Sequence, residues 1–136
     1  MRAVAILLAL ALPAAAETPG AGALRLELNR LDAEGAACRL TFVAENGWAP
    51  LSSLVIETVL FDRGGRVAAL TLFDFGELPQ GRRRVRQFDV AGTDCGSIGQ
   101  VLVNGVATCT GPGAERAACA AALSVAGSAE GVEVAQ

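Results

Sequence analysis

The stretch that decides the fold is LSSLVIETVLFDRGGRVAALTLFDFGELPQGRRRVRQFDV, residues 51–90. Two apolar runs, 54–61 and 67–75, flank the sequence Asp-Arg-Gly-Gly at 62–65. Two adjacent glycines supply the positive φ angles of a tight turn, so this pair of runs predicts a β-hairpin. A second break, which contains Pro-Gln-Gly, leads into a third run, 82–90. The runs are rich in β-branched and aromatic residues, which suit a pleated, half-buried surface.

The third run does not alternate as a strand with one buried face should. Val85 has one parity, whereas Phe88 and Val90 have the other. One extra residue near Arg86 and Gln87, a β-bulge, would bring all three apolar side chains onto one face. The sequence therefore predicts a bulge in this strand.

Further short runs on both sides of this centre continue the β pattern. Residues 115–122 predict a short helix, because they carry no strand alternation and follow a Gly-Pro-Gly turn. Short strands at regular spacing with turn signals between them are typical of a β-sandwich. We therefore predict an all-β, immunoglobulin-like sandwich of six to eight short antiparallel strands. The additional strand candidates are 24–29, 38–43, 98–106, 123–126 and 132–134.

The N-terminus has the pattern of a secretory signal peptide. A positive start at Arg2 precedes the ten-residue apolar run 3–12, and Pro13 and three alanines follow. We place cleavage after Ala16, which makes residues 17–136 a single β-sandwich domain. The apolar run is shorter than the roughly 20 residues of a membrane helix, although a retained anchor or a buried helix is the alternative. We expect a periplasmic or secreted protein with no transmembrane segment in the mature chain.

Composition excludes several classes of function. The chain has a formal net charge of −3, one Trp and no Tyr, which argues against nucleic-acid binding. It has no His, so Ser-His-Asp and Cys-His nucleophile systems and a blue-copper site are excluded. We expect no cofactor and no catalytic residues, and hence no enzyme.

Paired carboxylates are the remaining enzymatic alternative. Asp74 and Glu77 are neighbours in sequence, as are Asp89 and Asp94, and a carboxylate pair in a cleft could serve a hydrolase. An acidic chain of this length contains such neighbours by chance, so solvated turn positions are the favoured interpretation.

Four cysteines predict two disulfides, because an even count in an exported chain indicates a disulfide framework. We favour the pairs Cys38–Cys95 and Cys109–Cys119. An extended strand between Cys95 and Cys109 would hold them about 25 Å apart. A disulfide needs Cα atoms within about 7 Å. A zinc site is the alternative, but the spacing contains no CxxC.

Two features are candidates for an interaction surface: the arginine cluster Arg82, Arg84 and Arg86, and the loop residue Trp48. Alternate residues of a strand share a face, so the three arginines could bind an acidic partner or an anionic surface. The alternative is that these charges only protect a strand from aggregation. Trp is enriched at binding hot spots, but Trp48 could equally close the end of the core.

The centre of the chain resembles the FxLYD-type immunoglobulin-like domains of bacterial surface proteins. The elements that carry this resemblance are the turn at 61–65, the Pro-Gln-Gly turn at 79–81 and Phe88. More closely, the chain is similar to small exported proteins of alphaproteobacteria that are labelled "Tat pathway signal sequence domain protein". That similarity rests on the later cysteines and on the motifs CRLTF at 38–42, LTLFDF at 70–75 and VRQFD at 85–89.

This resemblance implies fold and location and no activity. Arg2 stands alone, without the twin arginines of a Tat signal, so we expect export by the Sec route. Together these observations predict a non-enzymatic periplasmic or secreted module that binds another envelope protein or an anionic surface. An accessory or inhibitor subunit of an envelope enzyme is the alternative.

Overall fold

A computed structural model describes residues 22–136, which form two four-stranded β-sheets packed face to face. The predicted all-β sandwich is therefore confirmed. The predicted signal peptide, residues 1–16, lies outside the described residues.

Eight strands and one α-helix make up the structure. Sheet 1 has the strand order β5-β2-β1-β7, and sheet 2 has the order β4-β3-β6-β8. A 3₁₀ turn, Cys95–Ser97, precedes β6, and the short helix α1 lies between β6 and β7, close to its predicted position. The elements are β1 (Leu24–Glu34), β2 (Ala37–Asn46), β3 (Leu51–Asp62), β4 (Val67–Leu78), β5 (Arg83–Ala91), β6 (Ile98–Thr110), α1 (Arg116–Ala122), β7 (Leu123–Gly127) and β8 (Glu133–Ala135).

The predicted hairpin joins β3 and β4, which pair antiparallel. Its turn is held by Asp62, whose Oδ1 accepts hydrogen bonds from the backbone N–H groups of Gly64 and Arg66, each at 2.9 Å. Gly65 has φ +80°, a conformation that glycine adopts without a steric penalty. The two glycines thus have the role that the sequence predicts.

The expectation of antiparallel pairing throughout is wrong at two positions. β7 pairs parallel with β1, and β8 pairs parallel with β6. Parallel neighbours require a long connection, and here α1 and β7 lie between β6 and β8. The C-terminal part of the chain thus contributes one short strand to each sheet.

Aromatic side chains fill the centre of the space between the sheets. The ring of Phe42 on β2 lies 5.8 Å from that of Phe73 and 5.6 Å from that of Phe75, both on β4. Phe88 on β5 stacks on Phe73 with ring centroids 4.4 Å apart. Leu24, Leu26, Leu28 and Leu40 of sheet 1 and Leu54, Ile56, Leu60 and Val101 of sheet 2 complete this core.

The predicted bulge in β5 is absent. The register between β2 and β5 runs without interruption from Glu45↔Arg83 to Ala37↔Ala91. Val85 therefore points away from the core and is 55% exposed, while Phe88 points inward. Single apolar residues are common on protein surfaces, so Val85 remains in solvent on the outer face without a correction to the register.

Both predicted disulfides are confirmed. Cys38 on β2 is bonded to Cys95, with Cα atoms 5.0 Å apart. Cys109 on β6 is bonded to Cys119 on α1, with Cα atoms 6.5 Å apart. The first bond links sheet 1 to the segment that enters sheet 2. The second fixes the helix against the end of its own preceding strand.

Candidate functional site

The predicted interaction residues occupy one side of the sandwich. Arg84 and Arg86 lie on β5, an edge strand of sheet 1, and Arg82 lies in the turn between β4 and β5. Trp48 lies in the loop between β2 and β3. The structure gives these four residues different roles.

Arg86 holds the two sheets together at this edge. Its Nε donates a 2.7 Å hydrogen bond to the carbonyl oxygen of Phe75, and its Nη2 donates one of 3.0 Å to that of Glu77. Both acceptors belong to β4, the edge strand of the other sheet. A guanidinium occupied in this way satisfies carbonyls that would otherwise lack a partner. Arg86 is therefore a structural clamp, and its donors are not free for a ligand.

The other arginines of the cluster differ in their exposure. Arg84 is half-buried and donates from Nη1 to the carbonyl oxygen of Arg83 at 3.0 Å. Arg83 is exposed and forms an ion pair with Glu45 across the strands, with Nη2 2.8 Å from Oε1. Arg82 is exposed and forms no ion pair within residues 22–136. Arg82 is thus the arginine of this cluster that is most available to a partner.

Asn46 organises the loop that carries Trp48. Its side chain is buried, and Nδ2 donates to the carbonyl oxygens of Ala49 at 2.6 Å and Leu78 at 2.7 Å. Its Oδ1 accepts a 3.0 Å hydrogen bond from the backbone N–H of Trp48. One amide side chain therefore satisfies groups of the β2–β3 loop and of the end of β4 at once, and it fixes the path of the Trp48 loop.

Two more hydrogen bonds join this loop to the turn that carries Arg82. Gln80 Nε2 donates to the carbonyl oxygen of Trp48 at 2.9 Å, and Gly81 N–H donates to that of Asn46 at 2.7 Å. Trp48 itself is half-buried and packs against the core. Its indole therefore helps to close the end of the core and keeps part of its surface in solvent, while its carbonyl oxygen is bonded to the turn that carries Arg82.

An open cleft of about 510 Å³ lies next to these connections. Three arginines line it, and Glu45 is the single acidic residue among its lining residues. Arg25, on β1, also reaches Glu27 with Nη2 3.4 Å from Oε2. We call this site the arginine cleft. It is lined by Ala23, Arg25, Glu45, Asn46, Gly47, Gly81, Arg82, Arg83 and Ser124.

The chemistry available in the arginine cleft is recognition of anions. Guanidinium groups present several N–H donors in a planar fork that matches carboxylates. The ion pairs of Arg25 and Arg83 are exposed, and such pairs stabilise a fold by only about 0–1 kcal/mol. An incoming carboxylate can therefore exchange with Glu27 or Glu45 at small cost.

Two of the four candidate catalytic carboxylates accept hydrogen bonds within the fold. Asp74 accepts a 2.8 Å hydrogen bond from the backbone N–H of Gly76. Asp89 accepts two bonds from Arg39, at 2.7 and 2.9 Å, on the outer face of sheet 1. These hydrogen bonds hold the pKa of Asp89 below its usual value and raise that of Arg39. Among residues 22–136, no group of three or more Cys, Asp and Glu residues is arranged to hold a metal ion.

Sequence reasoning missed Asn46 and Arg25. The Asn-Gly pair at 46–47 was available as a signal, because Asn side chains often bond the backbone of a turn. The strand candidate 38–43 stops before this pair and does not include it. Arg25 gave no local signal, since β1 reaches the cleft only through its pairing with β2.

Comparisons with protein-family models, with curated protein sequences and with solved structures found no match for this chain. Within residues 22–136, no helix combines the length and the apolar character that crossing a bilayer requires. The two disulfides fit an extracellular protein, because such bonds form and persist in oxidising compartments.

Proposed function

We propose that this chain is an exported, non-enzymatic immunoglobulin-like module that binds an acidic segment of another envelope protein in the arginine cleft. The observation that carries the proposal is the exposed, unpaired guanidinium of Arg82 beside a cleft that also holds Arg25 and Arg83. The Sec-type leader at residues 1–16 and the two disulfides support a periplasmic or secreted location.

An acidic protein segment suits this site better than an anionic membrane. Membrane-binding basic segments typically carry four to eight Lys or Arg residues, whereas three arginines line the cleft. The cleft is concave, which suits a peptide segment better than a flat membrane surface.

The rigid framework around the cleft supports a binding role. Asn46 and Gln80 fix the Trp48 loop to the Arg82 turn by hydrogen bonds of 2.6–3.0 Å. A site that is already ordered loses less conformational entropy when a partner binds. If the partner is an envelope enzyme, the same surface serves the accessory or inhibitory role that is the alternative.

Fluorescence of Trp48, the one Trp of the chain, provides the test. The exported protein is titrated with a soluble peptide rich in Glu and, separately, with phosphatidylglycerol vesicles. We expect saturable binding of the peptide that weakens as salt rises, because contacts between exposed charges are screened. R82E should weaken peptide binding by about tenfold or more, which corresponds to about 1.4 kcal/mol.

R66E is the matched control, because Arg66 is also exposed and lies in the β3–β4 turn away from the cleft. It makes the same change of charge, so a general electrostatic effect would weaken binding equally in both variants. Equal losses in R82E and R66E would contradict a site at the cleft. Binding to vesicles but not to the peptide would replace the acidic segment with a membrane surface.

A further inference from the structure

Each sheet of the sandwich has two edge strands, β5 and β7 in sheet 1 and β4 and β8 in sheet 2. An edge strand presents backbone N–H and C=O groups that lack a partner strand, so proteins usually protect it with charges, shortness or a cover. β5 is charged, since it carries Arg83, Arg84, Arg86 and Asp89. β8 is short, with three residues.

The edge of β7 is covered by a side chain. Gln136 Oε1 accepts a 3.0 Å hydrogen bond from the backbone N–H of Val125, and its Nε2 donates one of 3.1 Å to the carbonyl oxygen of Leu123. These two bonds take the place of a neighbouring strand, because an amide side chain offers the same donor and acceptor as the backbone. β7 is therefore closed to strand addition at this point.

The edge of β4 is protected along only part of its length. Arg86 bonds the carbonyl oxygens of Phe75 and Glu77, near the end of the strand. The preceding segment, 67–73, has the sequence VAALTLF, which contains no charge and no proline. Within residues 22–136 it pairs with β3 alone, and no side chain bonds its backbone. We call residues 67–73 the open edge.

The side chains along the open edge indicate which partner fits it. Leu70 and Leu72 are 62% and 58% exposed, and Asp74 follows them at the same two-residue spacing. Asp74 is exposed, and neither it nor Glu57, which lies opposite Leu72 on β3, forms an ion pair within residues 22–136. Alternate residues of an added strand would lie beside Leu70, Leu72 and Asp74. The complementary pattern is apolar, apolar and basic.

We propose that the open edge binds an extended segment of another protein, which joins sheet 2 as a fifth strand. The segment is apolar opposite Leu70 and Leu72, and it carries a Lys or Arg opposite Asp74. In strand addition, main-chain hydrogen bonds supply the affinity and side chains at alternate positions supply the specificity. The added strand runs antiparallel to β4, because antiparallel pairs are slightly more stable per residue than parallel ones.

The open edge is separate from the arginine cleft in place and in chemistry. The arginine cleft is lined by sheet 1 and its adjoining loops and turns, and we propose that it binds an acidic segment. The open edge belongs to sheet 2 and selects a segment with a basic residue. R82E should therefore leave binding at the open edge unchanged, so either proposal can fail without the other.

The test uses a fluorescently labelled peptide, Thr-Lys-Thr-Val-Thr-Val-Thr, in which the Lys and the two Val residues occupy alternate positions. Fluorescence anisotropy should show saturable binding to the exported protein below about 1 mM. In the wild type, hydrogen exchange of amides in residues 67–73 should slow when the peptide is bound, because new hydrogen bonds protect them. D74K should weaken binding about fivefold or more, because like charges then lie opposite each other.

A peptide with Glu in place of Lys provides the reciprocal measurement, since it should bind D74K more tightly than it binds the wild type. E130K is the matched control, because Glu130 is also exposed but lies between β7 and β8, at the far side of sheet 2. E130K should bind the Lys peptide as the wild type does, and thermal unfolding checks that both variants are folded.

Three results would overturn the proposal: no saturable binding, equal losses in D74K and E130K, or slowed hydrogen exchange in sheet 1 and not at the open edge. The hydrogen-exchange result on the wild type decides the matter even if D74K does not fold. Sedimentation velocity without peptide gives a further check. A dimer whose open edge is already protected from exchange would assign this edge to a second copy of the chain, against the proposal.

Discussion

The outer faces of the two sheets differ in chemistry, although their inner faces share one apolar core. On sheet 1, charged side chains pair across strands: Arg39 Nε lies 2.7 Å from Asp89 Oδ1, and Arg83 Nη2 lies 2.8 Å from Glu45 Oε1. On sheet 2, the outer face carries exposed apolar side chains beside unpaired carboxylates: Leu70 and Leu72 are more than half exposed, and Glu57 and Asp74 lie on the same face.

The outer face of sheet 1 has the composition expected of a surface in contact with water. A sandwich needs only its inner faces to be apolar, so the ion pairs of sheet 1 are the ordinary solution for an outer face. Leu70 and Leu72 of sheet 2 add nothing to the core and are exposed on an edge strand, a position where proteins usually place charges.

The largest expected effect compares the two sides of a single strand of sheet 1. Phe42 points into the core, and its neighbour Val43 points outward. F42A should lower the free energy of unfolding by about 3–5 kcal/mol, because it leaves a cavity among three other phenylalanines. V43A should lower it by about 1 kcal/mol. Urea unfolding measures both, and similar losses would mean that the strand is buried on both sides.

The two disulfides differ in what they connect: one links the two sheets, and the other links a strand to the helix that follows it. Cys38–Cys95 closes a sequence separation of 57 residues, and Cys109–Cys119 closes one of 10. The chain-entropy model gives about 4 kcal/mol for the first bond and about 3 kcal/mol for the second. Replacing each pair with alanines should therefore reduce stability in that order in thermal or urea unfolding. The reverse order would show that α1 matters more to the fold than the link between the sheets.

Sequence patterns predicted the parts of this fold that local chemistry determines. The hairpin at Gly64 and Gly65 was predictable because a tight turn requires positive φ. The disulfide pairing was predictable because an extended strand keeps Cys95 and Cys109 apart, as β6 does. The parallel strands β7 and β8 were not predictable, since strands of three and five residues carry no signal of their partners.

The candidate site was less predictable because its roles depend on neighbours that are distant in sequence. Counting parity along β5 grouped Arg84 with Arg86, but it did not show that Arg86 reaches the carbonyl oxygens of β4. β3 has apolar residues on both sides, a pattern typical of a central strand, and it lies between β4 and β6. Apolar residues on both sides of a strand do not show whether its outer face is covered by other residues or exposed to solvent.

The inner face of sheet 2 contains a buried hydroxyl, that of Thr58, whose removal can be compared with that of a neighbouring threonine. Thr58 is fully buried, and within residues 22–136 its Oγ1 has no hydrogen-bond partner. A buried hydroxyl without a partner destabilises a fold, and valine has nearly the same shape as threonine. T58V should therefore raise the free energy of unfolding by about 1 kcal/mol. T71V, on the neighbouring and partly exposed position of β4, should change it less. A loss of stability in T58V would show that the hydroxyl is satisfied in solution.

The smallest effect concerns the charged outer face of sheet 1 and its response to pH. Hydrogen bonds from Arg39 lower the pKa of Asp89 in the folded state. A carboxyl with a lowered folded pKa contributes stability above its unfolded pKa of about 3.9. That contribution is lost as the pH falls through the folded pKa. The stability difference between the wild type and D89N should therefore be present at neutral pH and disappear in acid.

Glu27 provides the control, because the largest cause of its lowered pKa is a hydrogen bond from the neutral hydroxyl of Ser128. E27Q should show the same direction of pH dependence in urea unfolding. Added salt should reduce the effect of D89N more than that of E27Q, because salt screens the charge of Arg39 and leaves a bond to a hydroxyl largely unchanged. Equal sensitivity to salt would mean that the ion pairs of sheet 1 act only as ordinary hydrogen bonds. The two outer faces would then differ in polarity, without a contribution from attraction between charges.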